Sequence, residues 1–228
     1  LDRVLDGVRE ALDATGVVLV TGDTKVVPRG AVDQLFITTT GIGEVILPLA
    51  GPAGLEPGDA LLVSGPIGRH GAAVLCAREE FGFDPPPSSD CAPLTEPIAA
   101  LWRAEIPVRC LRDATRGGVA AVLHEWSAAS GLGATVDTAR LPVTPDVRAV
   151  CELLGLDPLH LACEGTFVAA VPASEGPRTL EVLREQGSAA ALIGEMTAAR
   201  PTPVRLRSTA GREIPLDEPA GSPLPRIC

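Results

Sequence analysis

The sequence is poor in basic residues. Its 19 Lys and Arg face 29 Asp and Glu, which gives a net charge of −10, and no basic patch stands out. Nucleic acids and anionic membrane surfaces attract proteins mainly through clustered positive charge. We therefore expect a protein that binds neither nucleic acid nor membrane.

Long apolar runs are also missing. No stretch approaches the ~20 apolar residues of a membrane-spanning helix, and the first residues lack the basic-then-apolar pattern of a signal peptide. Hydrophobic residues still make up 46% of the 228 residues, enough for a sizeable core in one large or two small domains. These features predict a folded, cytoplasmic protein.

Cysteine pairs and methionines are scarce as well. None of the six cysteines lies in a C-x-x-C pair, so neither a zinc ribbon nor a disulfide scaffold is indicated. The only methionine is Met196, and helical periodicity starts at Leu1 without a cap before it. We expect the chain to be a fragment whose shared sites are only partly represented.

Strand-like and helix-like stretches alternate along the chain, which predicts an α/β or α+β fold with a mixed sheet. A first helix ends at Gly16. Strands are predicted at 17–20, 34–40, 60–64, 108–113, 166–171, 190–194 and 204–207. Further helices are predicted from about 69 to 82 and at 94–103, 119–130, 145–154 and 174–186.

A proline- and glycine-rich run at 48–58 indicates a domain boundary. We divide the chain into 1–50, 51–214 and a flexible tail at 215–228. The tail contains four prolines and ends on Cys228, and it can reach about 40 Å when extended. A frayed terminus is the structural alternative. The apolar residues and the arginine near its end favour an arm that delivers a nucleophilic thiol.

Three stretches carry candidate site residues. The first is the loop after strand 17–20, where a carboxylate, a lysine and two hydroxyls crowd together at Thr21, Asp23, Thr24 and Lys25. Loops that follow strands are common ligand sites in α/β folds, and a polar surface turn is an equally good interpretation. His70 stands where a glycine-rich turn becomes a helix, and its context favours a helix cap over a site residue.

The second and third stretches follow strands further along the chain. Asp113 and Arg116 precede Gly117-Gly118, which open a helix whose exposed N–H groups suit a phosphate. A tight turn capped by Asp113 is the alternative. Glu164 lies between an apolar stretch and a strand, where desolvation raises a carboxyl pKa towards that of a general base. An exposed turn residue is the other possibility.

Together these stretches resemble a known family, the hydrogenase maturation factor HypE. HypE proteins are the carbamoyl-dehydrating members of the ATP-using, AIR synthase-like (PurM-like) superfamily. The similar motifs are V-T-G-D-T-K-V-V (20–27), S-G-P-I-G-x-H-G (64–71), S-D-C-A-P-L (89–94), R-D-x-T-R-G-G-V-A (112–120), E-L-L-G-L-D-P-L (152–159), E-G (164–165) and the terminal P-R-I-C. They cover the whole chain, and the terminal motif distinguishes HypE from the rest of the superfamily.

The resemblance implies an ATP-dependent enzyme. A carbamoyltransferase, HypF, places a carbamoyl group on the terminal cysteine, and ATP drives its dehydration to a thiocyanate. The cyano group passes to iron on a HypC–HypD scaffold and becomes a cyanide ligand of [NiFe] hydrogenase. Phosphorylation makes the amide oxygen a better leaving group, and bases remove two N–H protons.

The resemblance also implies roles for individual residues. Cys228 is the acceptor, Lys25 and Glu164 handle protons and orient phosphate, and His70 is a weaker candidate. Thr21, Asp23 and Thr24 contact the nucleotide, with Asp23 also a Mg²⁺ ligand. Asp113, Arg116, Gly117 and Gly118 support phosphate. The sequence departs from the family pattern at Ala114, His124 and Cys163, and the last adjoins Glu164.

The implied fold has two α/β domains, with ATP bound between them near a homodimer interface. Residues 1–50 then represent the end of the first domain, and its upstream ATP motifs precede Leu1, so we expect this fragment alone to be inactive. Two alternatives stay open. One is another enzyme of the superfamily, such as a selenophosphate synthetase or thiamine-phosphate kinase, and the other is a non-catalytic docking subunit.

Overall fold

The structure is a computed structural model that describes residues 1–46, 48–79 and 81–219. Two compact units make up the chain: unit 1 is Leu1–Pro48 and unit 2 is Leu49–Cys228. The end of the predicted tail, including Cys228, lies outside the described residues.

Unit 1 contains helix α1, Asp2–Thr15, which ends at Gly16 as predicted. No residue of α1 is buried. The strands predicted at 17–20 and 34–40 are wrong, because no helix or strand is assigned between 16 and 46. A strand needs ladder hydrogen bonds from a neighbouring strand, and these residues pair with none in the described chain. Val20 is 85% exposed and Phe36 69% exposed.

Within the described residues, the strands and the other α-helices all lie in unit 2. Its helices are α2 Arg69–Arg78, α3 Thr95–Arg103, α4 Gly118–Ser130, α5 Pro145–Leu154 and α6 Gly176–Glu185. Its strands are β1 Ala60–Val63, β2 Cys110–Asp113, β3 Gly133–Asp137, β4 Phe167–Val171, β5 Ala191–Thr197, β6 Val204–Arg207 and β7 Glu213–Pro215. The predicted mixed α/β architecture is confirmed.

The seven strands form one sheet in the order β2-β4-β1-β5-β3-β6-β7. Its pairings are antiparallel except that of β3 with β6. In β1 and β4 every residue is buried, which is the pattern of central strands covered on both faces. Neighbouring residues enter different cores: Leu61 and Val63 join one apolar cluster, and Leu62 joins the other.

One face of the sheet packs against α4, whose Val119, Leu123 and Trp126 belong to the larger cluster. The other face packs against α3 and α6 through Leu101 and Leu183. A third, smaller cluster joins α2 to α5. Helices on both sheet faces leave the loops at the strand ends to build a site.

The C-terminal strand corrects the predicted start of the tail. Pro215 ends β7 and pairs in register with Arg205, and the next residue, Leu216, is buried and donates its N–H to the Val204 carbonyl. An edge position tolerates proline because its missing N–H faces away from the ladder. Residues 215 and 216 are therefore part of the folded sheet and not of a free arm.

Candidate functional site

The loop before β4 presents Glu164 and holds it by its backbone. The N–H groups of Glu164 and Gly165 each donate to the Asp90 carboxylate over 3.1 Å. A Cβ at residue 165 would lie 1.8 Å from the Asp90 carbonyl oxygen, so only glycine fits there. Asp90 thus fixes the peptide that carries the Glu164 side chain.

Cys163, the residue before Glu164, faces inward. Its sulfur accepts a hydrogen bond from the Gly68 N–H over 3.2 Å and lies 3.7 Å from the Leu161 carbonyl oxygen. Burial raises the pKa of this thiol to about 12, so it stays protonated. The departure from the family pattern at this position therefore supplies a packed thiol that bonds to Gly68.

Glu164 itself is half-buried and surrounded by other ionisable groups. Burial raises the pKa of its carboxyl, the positive field of His70 opposes that rise, and the carboxylates of Asp90 and Asp113 add to it. A carboxyl with a raised pKa is a stronger proton acceptor, which suits a general base. The sequence-based expectation for the direction of this shift agrees with the structure.

His70 lies in the first turn of α2 and does not cap it. The helix follows Gly68, which has φ 77°, and no side chain caps its first N–H groups. The His70 Nδ1 instead lies 2.9 Å from the Ser89 hydroxyl, in the loop that also carries Asp90. The capping interpretation was wrong because Gly68 takes the cap position and the imidazole points to Ser89.

Asp113 ends β2 and is held in its charged form. Burial opposes ionisation, but a hydrogen bond from the Thr115 hydroxyl (2.8 Å) and the Arg112 guanidinium (2.7 Å) lower the pKa of this carboxyl. Gly117, not Asp113, occupies the cap position of α4, and no side chain bonds the helix start. Only four residues, 114–117, lead from β2 into α4, as the tight-turn alternative expects, but its cap by Asp113 is wrong.

Gly117 and Gly118 both have positive φ, 70° and 61°. A Cβ on Gly118 would lie 2.4 Å from the Leu159 carbonyl oxygen, and one on Gly117 would lie 3.3 Å from Pro219. The glycine pair therefore has a packing role at the start of α4. Arg116 beside it is exposed and forms no ion pair within the described residues, so its guanidinium is available to an anion.

The candidate nucleotide residues of unit 1 occupy the loop after Gly16. Thr21, Asp23, Thr24 and Lys25 are all exposed, and Asp23 accepts a hydrogen bond from the Thr24 N–H over 2.8 Å. Lys25 is the only lysine in the sequence. Within unit 2, His70 and Asp113 both lie near enough to Glu164 to act on its carboxyl.

Sequence reasoning gave no role to Asp90, although it lies in the S-D-C-A-P-L motif. Its contacts to Glu164 and Gly165 join residues more than 70 positions apart, and no local spacing in the sequence predicts them. In the described parts of the chain, no three His, Cys, Asp or Glu side chains are grouped to bind a metal. No helix there is long and apolar enough to span a membrane.

Comparison with known proteins gives consistent matches. Residues 56–206 match the family model for the AIR synthase related protein, C-terminal domain. The chain is 49% identical to carbamoyl dehydratase HypE of Escherichia coli (strain K12), over 100% of this chain and 68% of that protein.

Two solved structures are also similar. A hydrogenase maturation protein HypE in complex with ATP matches with a TM-score of 0.91 and 39% identity, over 97% of this chain and 69% of that one. A HypE–HypF complex matches with a TM-score of 0.84 and 37% identity, over 96% of this chain and 72% of the other.

Proposed function

This chain belongs to the HypE family of hydrogenase maturation proteins, and we propose that it catalyses the ATP-dependent dehydration of an S-carbamoyl group. The group is carried by the Cys228 thiol and becomes an S-cyano group, the source of the cyanide ligands on the iron of [NiFe] hydrogenase. The resemblance found in the sequence motifs is confirmed at the level of the family.

The observation that carries the proposal is the environment of Glu164. Its carboxyl is half-buried with a raised pKa, its peptide is fixed by Asp90, and it shares the site with His70 and Asp113. Removing protons from a carbamoyl nitrogen needs a base that is both stronger than an exposed carboxylate and held in place. Glu164 meets both requirements.

The net reaction breaks the carbamoyl C–O bond, turns the C–N bond into a nitrile and releases both N–H protons. ATP, when bound, supplies the phosphoryl group that makes the oxygen a leaving group as phosphate. Glu164 accepts one N–H proton, and His70 is the candidate acceptor for the second. Lys25 orients phosphate oxygens with its positive charge.

We assign residues for the nucleotide in each unit taken by itself, following the family resemblance. Thr21, Asp23 and Thr24 contact it, with Asp23 as a Mg²⁺ ligand. Asp113, Arg116, Gly117 and Gly118 support the phosphates, and the unpaired guanidinium of Arg116 fits this role. The ATP-bound relative supports nucleotide binding by the family.

We further propose the partners. The relative solved with HypF supports HypF as carbamoyl donor, while the homodimer and the HypC–HypD scaffold follow from the family resemblance alone. The activity is assigned to the cytoplasm, where a terminal thiol stays reduced.

The proposal is tested by intact-mass spectrometry of the full-length protein incubated with the carbamoyltransferase, carbamoyl phosphate and ATP. Carbamoylation adds about 43 Da and dehydration removes about 18 Da of it, by formula arithmetic. Cys228→Ala should prevent both changes. Glu164→Gln and Lys25→Ala should accept the carbamoyl group but slow the loss of 18 Da by about 100-fold or more.

Glu181→Gln, an exposed carboxylate on α6, is the matched control and should behave as the wild type. Dehydration at the wild-type rate in both Glu164→Gln and Lys25→Ala would remove these residues from the mechanism. Modification of the Cys228→Ala protein at another cysteine would show that the terminal thiol is not the carrier.

A further inference from the structure

Two of the three histidines, His124 and His160, hydrogen-bond to residues 216 and 217. These two residues begin the stretch 216–219, which we call the C-terminal segment. The His124 Nε2 lies 3.0 Å from the Leu216 carbonyl oxygen, and the His160 Nε2 lies 3.0 Å from the Asp217 carbonyl oxygen. A carbonyl oxygen only accepts hydrogen bonds, so each Nε2 carries a hydrogen and donates it. Two successive carbonyls are therefore bound by two imidazoles.

The two histidines stand on two elements that pack directly against each other. His124 lies in the middle of α4, and His160 ends a short 3₁₀ helix whose start is capped by Asp157. The backbone of this short helix approaches Gly118 so closely that no Cβ fits there. Each imidazole therefore reaches the C-terminal segment from an element that is packed within the folded unit 2.

The two hydrogen bonds fix the course of the chain from Leu216 to Pro219 along α4. After Leu216, which is buried against α4, the chain runs back along the helix to Pro219, whose Cγ would lie 3.3 Å from a Cβ at Gly117. The distance along α4 from His124 to Gly118 is about 9 Å, at 1.5 Å per residue. Pro219 therefore lies at the start of α4, next to the loop whose Asp113 acts on Glu164.

We propose that His124 and His160 are positioning residues that form a latch for the C-terminal segment. The latch holds Pro219 beside the loop that carries Asp113, nine residues before Cys228, a length of chain that spans about 30 Å when extended. Without it the last residue held by the sheet is Leu216, twelve residues before Cys228. The role of Cys228 in this inference rests on the proposed function. The hydrogen bonds by which His124 and His160 hold the chain do not depend on it.

The test compares two double variants of the full-length protein. In His124→Leu with His160→Leu, both donors are lost and two carbonyls are left without their partners. In His124→Gln with His160→Gln, an amide N–H replaces Nε2 at similar reach, so the latch is kept. Circular dichroism and thermal unfolding establish that each variant is folded.

The first measurement is hydrogen exchange of the Leu216 amide, which donates to Val204. The Leu pair should exchange at least about tenfold faster, because two hydrogen bonds of ordinary net strength are lost. The Gln pair should exchange like the wild type. Unchanged exchange in the Leu pair would overturn the latch.

The second measurement is the rate at which a short bismaleimide links Cys228 to Cys91, an exposed cysteine beside Asp90. The longer connection from the last held residue to Cys228, twelve residues instead of nine, alone lowers the effective concentration about 1.5-fold. Because the starting point also moves away from the site, we expect at least a threefold loss in the Leu pair and rescue in the Gln pair. A smaller loss would mean that the histidines hold the sheet edge without directing the tail.

The third measurement is the ATP-dependent loss of 18 Da from the carbamoylated protein. The Leu pair should slow this step at least threefold and leave carbamoylation unchanged, and the Gln pair should restore it. A wild-type protein that never loses 18 Da would refute the proposed function, while the exchange and cross-linking results still decide the latch. If the Leu pair does not fold, the same three measurements are made on His160→Ala alone. The hydrogen bond of His160 is exposed, whereas that of His124 is partly buried.

Discussion

The two units contain similar apolar runs, but the run in unit 2 forms a buried strand and the run in unit 1 does not. Residues 17–20 of unit 1 (Val-Val-Leu-Val) and β1 of unit 2 (Ala-Leu-Leu-Val) are both short apolar runs. In β1 every residue is buried between two strands and two helical layers, whereas Val20 is 85% exposed. An apolar run therefore predicts the capacity for a strand, and ladder partners decide whether the strand forms.

The largest expected difference is in side-chain burial. Phe167→Ala in β4 should lower the free energy of unfolding by about 3–5 kcal/mol, because a fully buried ring leaves a cavity. Phe36→Ala in unit 1 should change it by about 0.5 kcal/mol or less, because that ring is exposed. Denaturant titration measures both, and an equal cost at Phe36 would contradict the contrast between the units.

A smaller effect is expected at two glycines that share a left-handed conformation. Gly118 of unit 2 has φ 61° and no space for a Cβ, whereas Gly16 of unit 1 has φ 68° and nothing within 4 Å. Gly16→Ala should cost only the backbone strain, about 1–2 kcal/mol. Gly118→Ala should cost about 3 kcal/mol or more, since the Leu159 carbonyl must move as well. An equal decrease in the unfolding temperature of the two variants would show that residues 159–161 move aside at little cost in free energy.

A third prediction concerns the charges around Glu164. Asp90→Asn removes a carboxylate that raises the pKa of Glu164. The acid limb of the pH profile for dehydration should then move to lower pH, because Glu164 stays ionised further down. Glu181→Gln is the control and should leave the limb in place. A limb that moves to higher pH in Asp90→Asn would mean that the charge of Asp90 is not what acts on Glu164.

The smallest expected effect is on stability as a function of pH. The pKa of Glu164 is raised in the folded state, so its contribution to stability is full at acid pH and lost as pH rises through the folded value. Glu164→Gln should therefore stabilise the protein near neutral pH, by less than about 1 kcal/mol because the carboxyl is partly exposed. The gain should vanish at acid pH. Glu44→Gln in unit 1, exposed, should show no such dependence.

Local patterns predicted most of unit 2. Helix α5 and strand β6 have the predicted bounds, and α3 and α4 differ by one residue. These elements carry a clear periodicity that packing reinforces. Helix α2 ends at Arg78, four residues earlier than predicted, and strands β3 and β7 were not predicted. Strand β7 is an edge strand of three residues ending in proline, which local propensity disfavours.

The candidate site was partly visible in the sequence. Asp113 was singled out because it precedes a glycine pair at a helix start, and Glu164 because it lies between an apolar stretch and a strand. The structure adds that Asp113 lies near enough to raise the pKa of Glu164. Asp90 was not recognised, since its bonds to the Glu164 and Gly165 peptides depend on two loops meeting in the fold. The role of His70 was misjudged because its partner, Ser89, lies 19 residues away.

The sequence by itself determined the family, through short motifs whose residue types and spacing are recorded directly in the chain. It also determined most of the helices and strands of unit 2, because their periodicity is local. Only the tertiary structure decided which apolar runs found ladder partners, that Asp90 holds Glu164, and that His124 and His160 bind the C-terminal segment. Those contacts join residues far apart in the chain, and their formation depends on packing that no local pattern records.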